Sequence, residues 1–180
     1  MIFKSETVDG SYENIGFIGQ QVDLFLSESG LGACRLGLAK QADGGGTGLP
    51  HVISMAFGKP AEPLYRDLSG FKRKQLSEIC DGTDSRIEAA RLAPSGMNRQ
   101  NWFFVAEDDA IHCYRKKPDF ISGLFFDKLE AIDVGIAICH IAAESESFSF
   151  VKRETAPQRK DFIYVGTVVN ELCNTIACLI

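Results

Sequence analysis

The segment from residue 91 to residue 102 contains the residue types that most clearly suggest ligand binding. It joins a predicted helix to a predicted strand through Pro94, Ser95, Gly96 and Asn98. A turn of this composition leaves backbone N–H groups and small polar side chains facing outward. Ser95 and Asn98 could hydrogen-bond a planar heterocycle while Pro94 packs on its face, although the same composition also suits a plain capped turn.

The basic run Lys72, Arg73 and Lys74 is a second candidate for ligand binding. Guanidinium and ammonium groups bind phosphate through charge-assisted hydrogen bonds. Consecutive charges also suit a solvated surface segment, which is their ordinary interpretation. The residue types alone leave both interpretations open.

The cysteines and histidines do not suggest a metal site. The chain contains six cysteines and three histidines, and their positions lack the spacing of zinc ligands. No two cysteines form a Cys-x-x-Cys pair, and the first residues include no long apolar stretch. We therefore predict no metal, reduced thiols and a cytoplasmic location. No catalytic acid or base is assigned.

The composition limits the class of protein. The chain has 180 residues, of which 45% are hydrophobic and 24% are charged, as expected for a globular protein of one domain. Its formal net charge of −5 argues against nucleic-acid binding through phosphate contacts. No segment approaches the length needed to cross a bilayer. Neither nucleic acid nor a membrane is therefore an expected partner.

Helices are predicted from apolar spacing, capping residues and stop signals. The predicted helices are Tyr12 to Ser29, Phe71 to Cys80, a segment that begins after Asp84 or Ser85 and ends near Ala93, and Phe126 to Glu146. The first is expected to bury a stripe of Ile15, Ile18, Val22, Phe25 and Leu26. Gly135 predicts close packing of the last helix against another element.

Strands are predicted where short apolar runs are bounded by turn residues. They are His51 to Phe57, Trp102 to Ala106, Ile111 to Tyr114 and Phe162 to Val169. A glycine loop from Gly44 to Gly48, an acidic turn from Glu107 to Asp109 and a tail from Asn170 to Ile180, which suits either helix or strand, complete the chain. Because the elements mix without strict βαβ alternation, we predict an α+β fold with helices packed on one mixed, mainly antiparallel β-sheet.

The candidate segment resembles the Ala-Pro-Ser-x-x-Asn-x-Gln-Pro-Trp signature of nitroreductase-like flavoproteins. The matching residues are Ala93, Pro94, Ser95, Asn98, Gln100 and Trp102. Asn101 departs from the pattern, because it stands where the family usually has proline. Further along the chain, residues 132–137 resemble the Asp-x-Gly-x-Ala helix of the same family.

The other family elements stand in an unusual order. Residues 30–34 resemble the Gly-Leu-Gly element, residues 55–60 resemble a later strand ending in Gly-x-Pro, and residues 72–74 resemble the basic pair near the usual C-terminus. In ordinary members these elements follow the Ala-Pro-Ser motif, whereas here they precede it. The order resembles a subfamily of fused pseudo-dimers. The resemblance therefore implies a single nitroreductase-like domain, 1–180, with half-units of about 1–80 and 81–180.

The resemblance implies FMN as the cofactor and NAD(P)H as the reductant, with the flavin held between two half-units. Pro94, Ser95 and Asn98 match positions that contact the flavin ring from one side. Gly96 and Gln100 belong to the same matched segment and are included among the predicted cofactor-binding residues.

The same resemblance implies contacts from the opposite side of the flavin. Leu31 and Gly32 match positions near the amides that approach the reactive nitrogen, and Arg73, with Lys72 or Lys74, matches the phosphate clamp. An N-terminal Arg-x-Ser-x-Arg arm, which also binds phosphate in ordinary members, has no counterpart here. The chain is therefore expected to be a form shortened at its N-terminus.

Two functions follow from the resemblance. The first is an FMN-dependent oxidoreductase that passes electrons from NAD(P)H through FMN to a small-molecule acceptor such as a nitroaromatic or a quinone. The alternative is a degenerate or truncated member that binds flavin weakly or not at all, as the missing arm and Asn101 suggest. A homodimer is a further expectation, because a shortened chain would expose apolar surface that self-association covers.

Overall fold

A computed structural model describes residues 1–40, 48–65, 67–107, 110–118 and 123–169. In chain order its elements are β1 (Ile2–Lys4), α1 (Ser11–Glu28), β2 (Gly32–Leu36), β3 (His51–Gly58), α2 (Leu76–Ile79), β4 (Cys80–Asp81), α3 (Arg86–Leu92), β5 (Trp102–Glu107), β6 (Ala110–Lys116), α4 (Gly123–Ala143), β7 (Ser149–Val151) and β8 (Phe162–Val169), with 3₁₀ turns at Leu68–Gly70 and Gly96–Asn98. Most of the predicted glycine loop, the centre of the acidic turn and the tail from Asn170 lie outside the described residues.

The strands form two sheets. One contains three strands in the order β1-β3-β2, and the other contains five in the order β4-β5-β6-β8-β7. Every pairing is antiparallel except that of β4 with β5. The predicted α+β class with mainly antiparallel strands is therefore confirmed. The expectation of one sheet is wrong, because β1, β2 and β3 pair only with one another in the described part of the chain.

The same order of four elements occurs twice. The first set is β1, α1, β2 and β3, and the second is β6, α4, β7 and β8. In each set the last strand lies between the other two and is antiparallel to both. The strand that follows each helix therefore takes the equivalent edge position in its sheet.

The two long helices cross at a very close contact. A Cβ atom at Gly135 of α4 would lie 1.9 Å from the carbonyl oxygen of Glu13, and one at Gly16 of α1 would lie 2.0 Å from the carbonyl oxygen of Ile132. Glycine therefore allows the helix backbones to touch at two reciprocal points. The close packing predicted at Gly135 is confirmed.

The buried face of α1 differs from the predicted apolar stripe. Ile15 and Leu26 are buried, but Ile18 is 42% exposed and Phe25 is 66% exposed. The buried face instead passes through Gly16, Gly19 and Gln20. An apolar pattern could not reveal this face, because glycine contributes to the contact by lacking a side chain.

The predicted helix from Phe71 to Cys80 is wrong over most of its length. Only α2 is helical, and residues 72–74 precede it in a non-helical conformation. Their backbone groups are bound by other segments. Gln100 Oε1 accepts the Lys74 N–H at 2.7 Å, and the Lys72 carbonyl accepts from Asn98 Nδ2 at 2.8 Å. These tertiary bonds replace the local bonds that a longer helix would have formed.

The remaining elements agree closely with prediction. The four predicted strands are confirmed within two residues at each end, whereas the short strands β1, β2, β4 and β7 were missed. Asp84 caps α3 by accepting the Arg86 N–H at 2.9 Å. Helix α4 begins and ends three residues earlier than predicted and is buried on all sides between residues 130 and 139.

Three further observations concern the thiols, metal binding and membrane-spanning helices. Four cysteines, Cys34, Cys80, Cys113 and Cys139, are free thiols. Among the described residues, no group of His, Cys, Asp or Glu side chains is placed to hold a metal ion. None of the described helices combines the length and apolar character that a membrane span requires.

Candidate functional site

The loop between α3 and β5 has a strained backbone. Met97, Asn98 and Gln100 have positive φ angles of 53°, 56° and 50°. A non-glycine residue in this region costs about 1 kcal/mol or more, and such residues cluster at ligand-binding sites. Ser95 supports the loop because its Oγ accepts the Gln100 N–H at 3.0 Å. Residues 96–98 are exposed at its tip, and Pro94 and Ser95 are half-buried beneath them.

A buried carboxylate on α4 holds the loop from below. Both Oδ atoms of Asp133 accept the Gly96 N–H at 3.0 Å, and Asp133 is only 6% exposed. Burial raises the pKa of Asp133 to about 7, although the Gly96 N–H and the Arg35 guanidinium act in the opposite direction. The loop therefore rests on a group that titrates near neutral pH.

Gln100 fastens the basic run to the loop. Its side chain is buried, with Oε1 accepting the Lys74 N–H and Nε2 donating to the Asn98 carbonyl at 3.1 Å. The Gln100 carbonyl also accepts from Lys74 Nζ at 2.9 Å. Burial lowers the pKa of Lys74. Gln100 and Lys74, both predicted site residues, are therefore hydrogen-bonded to each other.

Arg73 binds the same loop at two points. Its Nε and Nη2 donate to the Leu92 carbonyl at 3.2 and 3.1 Å, and Nη1 donates to Asn98 Oδ1 at 2.9 Å. The Asn98 amide donates in turn to the Lys72 carbonyl. The Lys72 side chain is exposed. The structure therefore brings two predicted groups together, residues 72–74 and residues 94–100, and gives Asn98 a structural role as well.

Leu31 and Gly32 lie elsewhere. The Leu31 N–H donates to the Leu26 carbonyl at 2.8 Å, and Gly32 is paired with Gly58 in the three-stranded sheet. In the described ranges, no hydrogen bond joins Leu31 or Gly32 to residues 72–74 or 93–102. Arg35 of β2, in the same sheet, acts electrostatically on the support of the loop, because its charge lowers the pKa of Asp133.

Two acidic residues of α4 and their partners were missed as site residues. Glu130 is 3% exposed, and its Oε1 accepts from Asn101 Nδ2 and from Arg99 Nη2, each at 2.8 Å. Asn101, the departure from the family pattern, is therefore an anchor of the loop. The spacing of Glu130 and Asp133 could have identified them as site residues from the sequence, because residues three apart share a helix face.

The loop depends on Gln100 in a way that can be measured. We expect Gln100→Ala to lower the free energy of unfolding by about 1–2 kcal/mol, since it removes bonds from a buried amide. Amide hydrogen exchange at Lys74 should also accelerate, because that N–H loses its acceptor. Gln100→Glu keeps an acceptor oxygen and should retain most of the protection at Lys74. Equal protection of Lys74 in both variants would contradict this role.

Comparisons with known proteins identify the family of the chain. A family model described as "Putative TM nitroreductase" matches residues 1–145. A crystal structure of a "putative nitroreductase" from Thermotoga maritima superimposes with a TM-score of 0.64 and 21% identity, covering 93% of this chain and 69% of that chain. None of the curated proteins matches significantly. Since the family model spans well over half of the sequence, the chain belongs to this nitroreductase family.

Proposed function

We propose that the protein is an FMN-dependent oxidoreductase that passes electrons from NAD(P)H to a nitroaromatic, a quinone or a similar acceptor. The observation that carries the proposal is the strained, exposed loop tip beside three consecutive basic residues, Lys72, Arg73 and Lys74. A loop held in an unfavourable conformation from beneath is pre-organised for a ligand. The neighbouring positive charges suit a ligand that carries a phosphate.

The residues present fit a flavin phosphate compound. Pro94, Ser95 and Gly96 would face the ring, while Asn98 has a second amide hydrogen beyond the one given to Lys72. Lys72 and Arg73 would hold the phosphate. When bound, FMN supplies the hydride and electron transfer chemistry. The protein's part is to bind and orient, with Asp133 and Gln100 keeping the loop in place.

We further propose that Leu31 and Gly32 approach the cofactor from the three-stranded sheet. Support comes from Arg35, four residues after Leu31, whose charge acts on Asp133 beneath the loop. Pro60 and Leu64, which precede Lys72 in the sequence, pack at Gly32.

The first test is reconstitution followed by turnover. Purified protein should take up FMN, become yellow and oxidise NADH or NADPH when a nitroaromatic or a quinone is supplied. Protein that binds FMN but oxidises neither nucleotide with several acceptors would contradict the oxidoreductase proposal. Protein that takes up no FMN would contradict the cofactor proposal as well.

Lys72 offers a direct test of the phosphate contact. Lys72→Ala should raise the Kd for FMN roughly two- to tenfold, because one exposed charge is lost. Riboflavin, which lacks the phosphate, should bind both proteins equally. Lys59→Ala, which removes another exposed lysine, is the matched control and should leave both affinities unchanged. A parallel loss of FMN and riboflavin affinity in Lys72→Ala would contradict a phosphate contact.

A second candidate is a family member that binds flavin weakly and has no turnover. The observation in its favour is that Asn98 and Arg73 bond to each other, so the protein itself occupies atoms that would otherwise face a ligand. Flavin titration separates the two candidates. A Kd of micromolar or weaker without nucleotide oxidation supports the second, and tight binding with turnover supports the first.

We propose that the chain consists of two half-units, about 1–80 and 81–180, and that it forms a homodimer in the cytoplasm. Gly16 meets Ile132 and Gly135 meets Glu13, so each helix contributes two contact positions that lie three residues apart. This reciprocal pattern supports a two-fold relation between the half-units. Exposed Ile18 and Phe25 on α1 support self-association. Sedimentation equilibrium measures the association directly.

A further inference from the structure

A cavity of about 370 Å³ opens beside the first turn of α1. Its walls are the start of α1, the middle of α4, and the strands β6, β7 and β8. The volume lies within the range of sites that bind small molecules. Nothing in the proposed flavin chemistry uses this space.

The cavity and the candidate flavin site lie on opposite sides of α4. Gly135 and Ile138 line the cavity, whereas Asp133 binds the loop at Gly96. Successive residues of a helix are rotated by about 100°, so positions 133 and 135 point in nearly opposite directions. A ligand in the cavity would therefore not contact the loop.

Aromatic rings form much of the lining. Phe17 stacks on Phe148 with ring centroids 5.4 Å apart, and Phe148 lies parallel to Phe150 at 6.5 Å. Tyr164 and Val165 complete the wall contributed by β8. Planar apolar faces of this kind favour a flat aromatic ligand, because offset and edge contacts between rings add to the burial of apolar area.

The charged residues in the lining balance one another. Asp9 and Glu13 carry negative charge, and Arg115 and Lys152 carry positive charge. Arg115 lies 3.8 Å from Glu13 and is also paired with Asp127. Burial raises the pKa of Glu13. An ion entering the cavity would lose hydration without meeting a net opposite charge, so an uncharged ligand is favoured.

We propose that this cavity binds a neutral planar aromatic molecule of about two fused rings. The polar edge of the ligand would face Glu13 and Asn14 at the α1 side, and its rings would pack on Phe17 and Phe148. The site is separate from the flavin-binding loop and does not depend on flavin binding.

The probe is 2-naphthamide, with 2-naphthoate and 2-naphthylmethylammonium as charged analogues of the same shape. Isothermal titration of the full chain should give a Kd of roughly 0.1–1 mM for the amide. Both ions should bind at least about threefold more weakly. An ion that binds as tightly as the amide would overturn the assignment of a neutral ligand.

Two further measurements locate the binding. Asn14→Trp places an indole at the cavity entrance and should weaken binding at least about tenfold, while Glu28→Trp, exposed at the far end of the same helix, should change it less than about twofold. Amide NMR shifts should move at Gly135 and Val165. Shifts at residues 94–100 instead, competition by FMN, or an unchanged affinity in Asn14→Trp would each overturn the proposal.

Discussion

Gly135→Ala is expected to lower the free energy of unfolding by about 3 kcal/mol or more. The added methyl group would lie 1.9 Å from the Glu13 carbonyl oxygen. That oxygen belongs to helix backbone and cannot rotate away, so α1 and α4 must separate. Their interface is the most extensive between any two described elements. Alanine would ordinarily stabilise a helix interior by about 1 kcal/mol relative to glycine, so a loss of stability would identify packing as the cause.

Gly16 and Gly19 provide the comparisons. Gly16→Ala meets the Ile132 carbonyl oxygen at 2.0 Å and should be as destabilising as Gly135→Ala. Gly19→Ala, on the same helix, meets Phe3 at 3.6 Å and Arg35 Nε at 3.9 Å, which are ordinary contacts, and should be neutral or slightly stabilising. Urea denaturation of the three variants measures the differences. A stable Gly135→Ala protein would show that the helices do not cross as described.

Asp133→Asn is expected to stabilise the protein at about pH 8 by about 1–3 kcal/mol. Burial raises the pKa of Asp133 from its usual 3.8 to about 7. That difference corresponds to about 4 kcal/mol for ionising the buried group, and the new amide hydrogens would cost about 1–3 kcal/mol where they lack acceptors. The Asn oxygen can still accept the Gly96 N–H.

The pH dependence gives the sharper measurement. Below pH 3.8 the group is protonated in both states, and between 3.8 and about 7 only the folded state holds the proton. Because the folded state then binds more protons than the unfolded state, the stabilising contribution of this group is lost as the pH rises through about 7. The difference between wild type and Asp133→Asn should therefore grow over this interval and become constant above it.

Glu130→Gln is the matched control. Glu130 lies on the same helix face and is equally buried, but it is paired with Arg99 and Asn101. Removing its charge leaves Arg99 without that partner and should destabilise the protein, the opposite sign to Asp133→Asn. Parallel pH profiles for wild type and Asp133→Asn would exclude a raised pKa at position 133.

The opposite changes in stability expected for Asp133→Asn and Glu130→Gln are relevant to function. Glu130 stabilises the loop through a charge pair, whereas Asp133 supports it at a cost in stability near neutral pH. A residue that positions a site while destabilising the fold is expected where binding requires a fixed loop conformation. If FMN binds as proposed, Asp133→Asn should be more stable than wild type but should bind FMN no more tightly.

The fold class, the longest elements and the motif at residues 93–102 could be predicted from the sequence alone. Four strands and three of the four predicted helices were recovered because apolar spacing and capping residues such as Asp84 act locally. The match at residues 93–102 also identified the loop that the structure shows to be strained. These features depend on residues close together in the chain, so local patterns could reveal them.

Only the tertiary structure decided how the site is assembled. Residues 72–74 were expected in a helix, but side chains 26 residues away bind their backbone and hold them against the loop. Asp133 became a site residue because folding buries it beneath Gly96. The crossing at Gly16 and Gly135 was equally hidden, because a glycine contact has no apolar signature. In each case the deciding interaction joins residues distant in sequence, and its energy depends on burial that arises only when the chain is folded.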